Sequence, residues 1–199
     1  AVIGGLASFL ATREAEAALE RRVPLVGCCS TSDALTTIQP TGMDRFFFRV
    51  APPDRLQSVV IAERAYNRPD LSCRNLGIVH VDDTYGNPLA ASLATNFTAL
   101  GGTVAGSVSH AFFTSDFSSQ VTALAAGNPD CVVLVSNVDD GRGFRKTWTD
   151  MGRPSVKWLA ADAMVGVAIG ETYADPHLSD GIDAVLPWSL GTPEADAFL

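Results

Sequence analysis

The stretch "IVHVDDTYGNPLA", residues 78–90, runs from a β-branched apolar segment through two aspartates, a tyrosine and a glycine into a helical pattern. Alternating valines suit a pleated, buried surface, and the polar turn marks where that surface stops. Beyond it, Leu89, Leu93, Phe97 and Leu100 fall on one helical face before Gly101 and Gly102 end the helix. One strand–turn–helix unit is thereby defined, and its recurrence sets the fold class.

The unit does recur. Apolar runs "AVIGG", "VPLVG", "FFFRV", "LGIVHVD", "GTVAGSVSH", "CVVLVS", "VKWLAA" and "GIDAVLPW" follow one another with helical patterns between them. That alternation predicts an α/β protein with largely parallel sheets. A second helical stripe, Phe144, Trp148 and Met151, ends at Gly152 and Pro154. Both stripes read as sheet-packing faces. Asn96 in "NFT" matches a glycosylation acceptor, but within a helix it reads as a chance match.

"FFFRVAPPDRLQ" breaks the rhythm: two prolines follow a strand directly, and Asp54 then opens a helix as a candidate N-cap. A boundary is placed there, giving residues 1–51 to one lobe, 52–186 to a second and 187–199 to the start of a return crossing. The first part holds two strand–helix units, and the chain begins on a strand and stops at "EADAFL" inside a new helical pattern. A piece of a longer chain is therefore expected.

Bulk properties exclude several classes. With 14 Lys and Arg against 22 Asp and Glu the net charge is −8, which disfavours nucleic acid and anionic membrane surfaces. No apolar run reaches the ~20 residues that span a bilayer. The four cysteines, Cys28, Cys29, Cys73 and Cys131, and the scattered His80, His110 and His177 lack metal-ligand spacing, so no metal is expected. Cys28 and Cys29, adjacent on what reads as a strand end, are expected to be two small buried residues, since neighbours on an extended strand point to opposite faces.

Ligands of parallel α/β sheets bind at the carboxyl ends of strands. There the sequence offers Ser8 at the start of a helix over residues 9–21, where hydroxyl and backbone N–H groups suit a carboxylate; a simple capping role explains Ser8 equally well. "CCSTSD" follows the second strand, so that the Cys29 carbonyl can accept from an ammonium while the Thr31 N–H and hydroxyl reach a carboxylate; the alternative is a turn in which Ser30 to Asp33 bond one another. Tyr85, Asn137 and Asp162 stand after later strands. No G-x-G-x-x-G or P-loop occurs, so no cofactor is indicated. Neither does a histidine stand beside Ser8, Ser30 or Thr31: His80 lies inside a strand, and His110 ends one far along the chain. Asp82 and Asp83 resemble a receiver-type acidic pair, but the further aspartate and lysine such a site needs are missing from that order. No catalysis is expected, and a nucleotide-dependent enzyme on a Rossmann-like sheet is the weakest option.

"VIGGLAS", "VPLVGCCSTSDALT", "FFFRVAPPDRLQ", "IVHVDDTYGNPLA", "SDFSSQVTALAAGNPDCVVLVS" and "WLAADAM", in this order, resemble the type I periplasmic solute-binding proteins, in the leucine/isoleucine/valine-binding branch that feeds branched-chain amino acid ABC transporters. The resemblance covers nearly the whole chain. It implies two doubly wound lobes that close on a ligand, a small amino-acid-like ligand, ABC permease subunits as partners, and a periplasmic or extracellular location. By it, Ser8 binds the ligand carboxylate, Cys29 (main chain) and Thr31 hold its amino and carboxylate groups, Tyr85 packs on it and Asp162 pairs with the ammonium. Three positions depart from the pattern. Asn137 stands near where amino-acid binders carry an aromatic, Asp162 where glutamate is usual, and Cys29 where alanine is common. The export destination so implied permits a disulfide, for which Cys73 and Cys131, starting neighbouring strands in that topology, are the candidate pair. A ligand-sensing domain of a receptor or regulator shares the same fold and is the alternative.

Overall fold

The computed structural model describes residues 1–40, 42, 44–164 and 181–185. All eight apolar runs form strands: β1 (Val2–Gly4), β2 (Leu25–Gly27), β3 (Phe47–Arg49), β4 (Asn75–Val81), β5 (Thr103–His110), β6 (Cys131–Val135), β7 (Lys157–Ala160) and β8 (Ile182–Ala184). Between them lie α1 (Ser8–Arg21), α2 (Asp54–Asn67), α3 (Gly86–Ala99), α4 (Ser118–Ala125) and α5 (Val138–Asp150). The strands form two sheets, one ordered β1-β2-β3 and one ordered β5-β4-β6-β7-β8, with every pairing parallel.

The period of two along β6 shows why the second sheet is covered on both faces. Cys131, Val133 and Val135 join Leu76, Ile78, Ile61, Leu93 and Phe97 in one core, under α2 and α3. Val132 and Leu134 point the other way, into a core with Leu124, Phe144, Trp148 and Trp158 under α4 and α5. Burying each such large apolar side chain contributes about 1.5–3 kcal/mol. Gly86 lets α3 start hard against β4, because a Cβ there would lie 1.9 Å from the Val81 carbonyl oxygen. Cys73 and Cys131 are joined by a disulfide across this sheet, with 5.8 Å between their Cα atoms. Arg64 of α2 and Arg68, which caps its C-terminus, both bind Asp183 of β8.

The first sheet is slighter. Its core is Ala11, Ala15, Ala18, Leu25, Leu35 and Phe47. Of the two strand–helix units expected there, only the first has an α-helix; β2 is followed by a single 3-10 turn, Asp33–Thr36. In the serine- and threonine-rich stretch after Gly27 the hydroxyls bond distant carbonyls, Ser30 to Gly5 and Ser32 to Thr84, which holds the backbone in non-helical turns.

Several sequence expectations are corrected. Cys28 and Cys29 are bonded to each other. They lie beyond the end of β2, where the chain bends, so the opposite-face geometry of an extended strand does not apply. Asp54 does not cap α2. Pro53 occupies that position, and Asp54 is the first helical residue. Met151 caps α5 and is 37% exposed rather than packed with Phe144 and Trp148. Residues 187–199, assigned to a return crossing, and His177 lie outside the described residues.

Candidate functional site

A cleft of about 500 Å³ opens where the carboxyl ends of strands from both sheets face each other. Ser8, Cys29, Thr31, Tyr85, Asn137 and Asp162, the six residues singled out in the sequence, all line it. Leu6, Ala51, Val81 and Phe112 add apolar wall. The volume lies within the ~300–1,000 Å³ range of small-molecule pockets.

On the first sheet's side the cleft is built from turns. Gly5, at φ +79°, reverses the chain after β1 and brings Ser8 to the start of α1. The Ser8 hydroxyl oxygen accepts the Ser32 N–H at 3.2 Å and makes no cap bond for its own helix. Ser30 donates its hydroxyl to the Gly5 carbonyl, tying the turns after β1 and β2 together. Cys29 is exposed in the cleft, whereas Thr31 is buried at its edge. Arg49 donates to the Ser32 carbonyl at 2.7 Å, and Arg55 pairs with Asp33 at 2.8 Å, so the loop is braced from both sides of the crossing segment.

On the second sheet's side the groups are side chains. Tyr85 donates its hydroxyl to Asp162 Oδ1 at 2.8 Å. Burial pushes the Tyr85 phenol well above its usual range, and the neighbouring Asp162 and Asp54 carboxylates push the same way. Burial also raises Asp162, an effect offset in part by the hydrogen bond from Tyr85 and by the nearby Gln57 side chain. Asp83 accepts the N–H groups of Tyr85 and Gly86, at 2.9 and 2.7 Å, and so fixes the turn that aims the tyrosine. Asn137 caps α5 through the Asp140 N–H at 2.9 Å, while its amide donates to the Asp140 carboxylate at 2.6 Å. The two sides touch directly: Ser32 Oγ donates to the Thr84 carbonyl at 2.8 Å, and the rings of Phe9 and Phe112 lie 5.8 Å apart.

Two features escaped the sequence reading. Ser136 Oγ lies 2.9 Å from His110 Nε2, and His110 Nδ1 is 3.8 Å from Asp140, which gives the residue order of a nucleophilic triad. Ser136 is 0% exposed, however, so its hydroxyl meets no substrate; the set serves as a buried brace behind Asn137. The second is Asp54. It is 1% exposed, and neither carboxylate oxygen has a hydrogen-bond partner. Its own N–H donates to the Thr31 carbonyl at 2.9 Å. Burial raises its carboxyl to about 7; the nearby Thr31 side chain offsets part of this without reaching hydrogen-bond geometry, and Asp162 adds to the rise. A phase of two in the apolar runs carries no trace of either feature, because both arise from residues distant in the chain. Asp130 lies within metal-ligand distance of the Cys73 and Cys131 sulfurs, but those sulfurs are bonded to each other.

Two parallel sheets that open onto one shared cleft define an α/β protein of the kind that holds small molecules at its strand ends. The chain belongs to the periplasmic binding protein family, matched over residues 1–199. Among solved structures, it is similar to the leucine binding protein LivK of Thermotoga maritima, at 27% identity and TM-score 0.73, covering 82% of this chain and 45% of that one. A solute binding protein of an R. palustris ABC transporter in complex with benzoate shares the fold at 19% identity and TM-score 0.81, covering 99% and 53%. Another from R. palustris, in complex with 4-hydroxybenzoate, matches at 19% and 0.69, covering 82% and 43%. The chain thus spans about half the length of these proteins. No curated protein matches it at a significant level. Among the described residues, no helix is long and apolar enough to cross a membrane.

Proposed function

We propose that the chain belongs to the extracytoplasmic solute-binding component of an ABC importer and takes a small, amino-acid-like zwitterion in the cleft. One observation carries this reading: hydroxyl and backbone groups at Ser8, Cys29 and Thr31 line one wall, and the acid Asp162 lines the other. The Ser8 hydroxyl, which accepts from Ser32, still has its own proton to give to a ligand carboxylate. Asp162, backed by Tyr85, takes the ammonium, and Cys29 offers its carbonyl to the same group. Leu6 and Phe112 receive the apolar part, and Asn137 meets any polar end of it. The 27% identity with a leucine binding protein supports an amino-acid ligand, and the structures in complex with benzoate and 4-hydroxybenzoate, at 19%, make an aromatic acid the competing solute. A ligand that touches both walls favours the closed arrangement because only closure makes both sets of contacts. Permease subunits would then recognise the closed form in the periplasm or extracellular space.

Isothermal titration of the full-length protein with L-leucine and with benzoate tests the reading. L-leucine binding that weakens about 10- to 100-fold in Asp162→Ala, the loss expected for a charge-assisted hydrogen bond, supports it. Equal affinity of wild type and variant, or binding of benzoate alone, refutes it.

A further inference from the structure

The mechanism proposed above makes no use of Asp54, the most anomalous polar group beside the cleft. It stands at the first turn of α2, directly after the crossing segment, and its N–H holds the carbonyl of Thr31, a cleft residue. With 1% of its surface exposed and no donor on either oxygen, a negative charge there is both unsolvated and unpaired. The Gln57 carbonyl oxygen one turn further along α2 is likewise buried without a partner, so the neighbourhood is rich in acceptors and short of donors. The charged and titratable groups facing Asp54 are Asp162 from the turn after β7, Tyr85 from the turn after β4, and Asp33 and Arg49 from the first sheet. Arg55 lies next to it on α2, bound to Asp33. Among these charged groups only Arg49 favours ionisation, and its attraction is weaker than both the effect of burial and the opposing effect of the Thr31 side chain.

We propose that Asp54 carries a proton in the ligand-free protein and gives it to solvent when a ligand ammonium docks beside Asp162, so that capture of the ligand is coupled to proton release. The reaction balances as neutral carboxyl plus ammonium ligand giving carboxylate, bound ammonium and one hydrated proton. Asp54 acts through Thr31 and Asp162 and is therefore a positioning residue. The inference rests on the amino-acid reading of the cleft and extends it. The midpoint of about 7 expected for the free protein places the coupling at physiological pH. Affinity then rises with pH through this midpoint, because at lower pH docking must first expel the proton.

Calorimetry with L-leucine in phosphate and in Tris, whose ionisation heats differ, counts the protons released. The wild type is expected to release about half a proton per ligand near pH 7 and nearly one near pH 6, with affinity about tenfold higher at pH 8 than at pH 6. Asp54→Asn, which keeps the shape and removes the proton, is expected to show no buffer dependence and a flat affinity profile across this range. Buffer-independent heats in the wild type, or undiminished proton release in Asp54→Asn, overturn the proposal. If L-leucine gives no heat, the amino-acid reading fails instead, and a carboxyl 13C NMR titration of the ligand-free protein decides for Asp54. A resonance that titrates near pH 7 and is missing in Asp54→Asn supports the protonated carboxyl; titration of every aspartate below about pH 5 overturns it.

Discussion

The five-stranded sheet is packed on both faces, with aromatic and branched residues in two separate cores, whereas the three-stranded sheet rests on one small core half made of alanines. Their contributions to the cleft differ in the same sense. The larger sheet presents side chains held by other side chains: Tyr85 on Asp162, and Asn137 on Asp140, with His110 and Ser136 behind. The smaller presents turns, hydroxyls and bare main chain at Ser8, Cys29 and Thr31. A strand end without a deep core beneath it cannot anchor a long side chain, but it can offer backbone, provided that covalent and hydrogen bonds fix the turn. The consequence is a division of labour, with side chains fixed by side chains on one wall and bond-fixed turns and bare main chain on the other.

The largest effect that would break this contrast concerns stability. Phe97 is wholly buried between α3 and the rest of its core, beside Tyr66, and Phe97→Ala is expected to cost about 3–5 kcal/mol in urea unfolding followed by the fluorescence of Trp148 and Trp158. Phe47→Ala, in the small core, should move the Trp148 and Trp158 signal by less than about 1 kcal/mol, since these two of the chain's three tryptophans lie in the core of the other sheet. Equal losses would mean that the two sheets unfold as one body.

Next in size is Asp54, which lies where the two sheets meet. Its carboxyl holds a proton more tightly in the fold than in the unfolded chain, so between about pH 4 and pH 7 the folded state binds more protons and stability is lost as pH rises through that window. Asp54→Asn should therefore raise stability by about 2–4 kcal/mol at pH 8 and by almost nothing near pH 4, read from thermal melts at the two values. A gain of the same size at both would remove the titration as its cause.

The smallest effect sharpens the comparison at the loop itself. The Arg55–Asp33 pair is more than half exposed on the arginine side, so Arg55→Ala should cost under about 1 kcal/mol and lose even that in high salt. A larger cost would show that the first-sheet turn depends on this brace more than on its backbone bonds.

The alternation of strands and helices was legible because buried parallel strands read as short runs of Val, Ile and Leu, and all eight runs named in the sequence became strands. The cleft residues were legible for a related reason: in parallel sheets the polar residue after each strand faces the same edge. Three things were not. The fate of Asp54 depends on Thr31 and Asp162 folding over it, and local rules see only a helix start. The His110–Ser136–Asp140 brace joins the end of β5 to the turn from β6 into α5. The bond between Cys28 and Cys29 depends on the chain bending at these two residues directly after Gly27, where the apolar run gives no sign that extension has ended.

That last bond has a consequence for the way the smaller wall works. A sulfur bridge across consecutive residues closes a tight covalent ring around a single peptide unit, and such a unit has lost most of its freedom to pivot. The carbonyl of Cys28 and the N–H of Cys29 are the groups held in that ring, so on the wall with the weakest foundation these two keep a fixed aim.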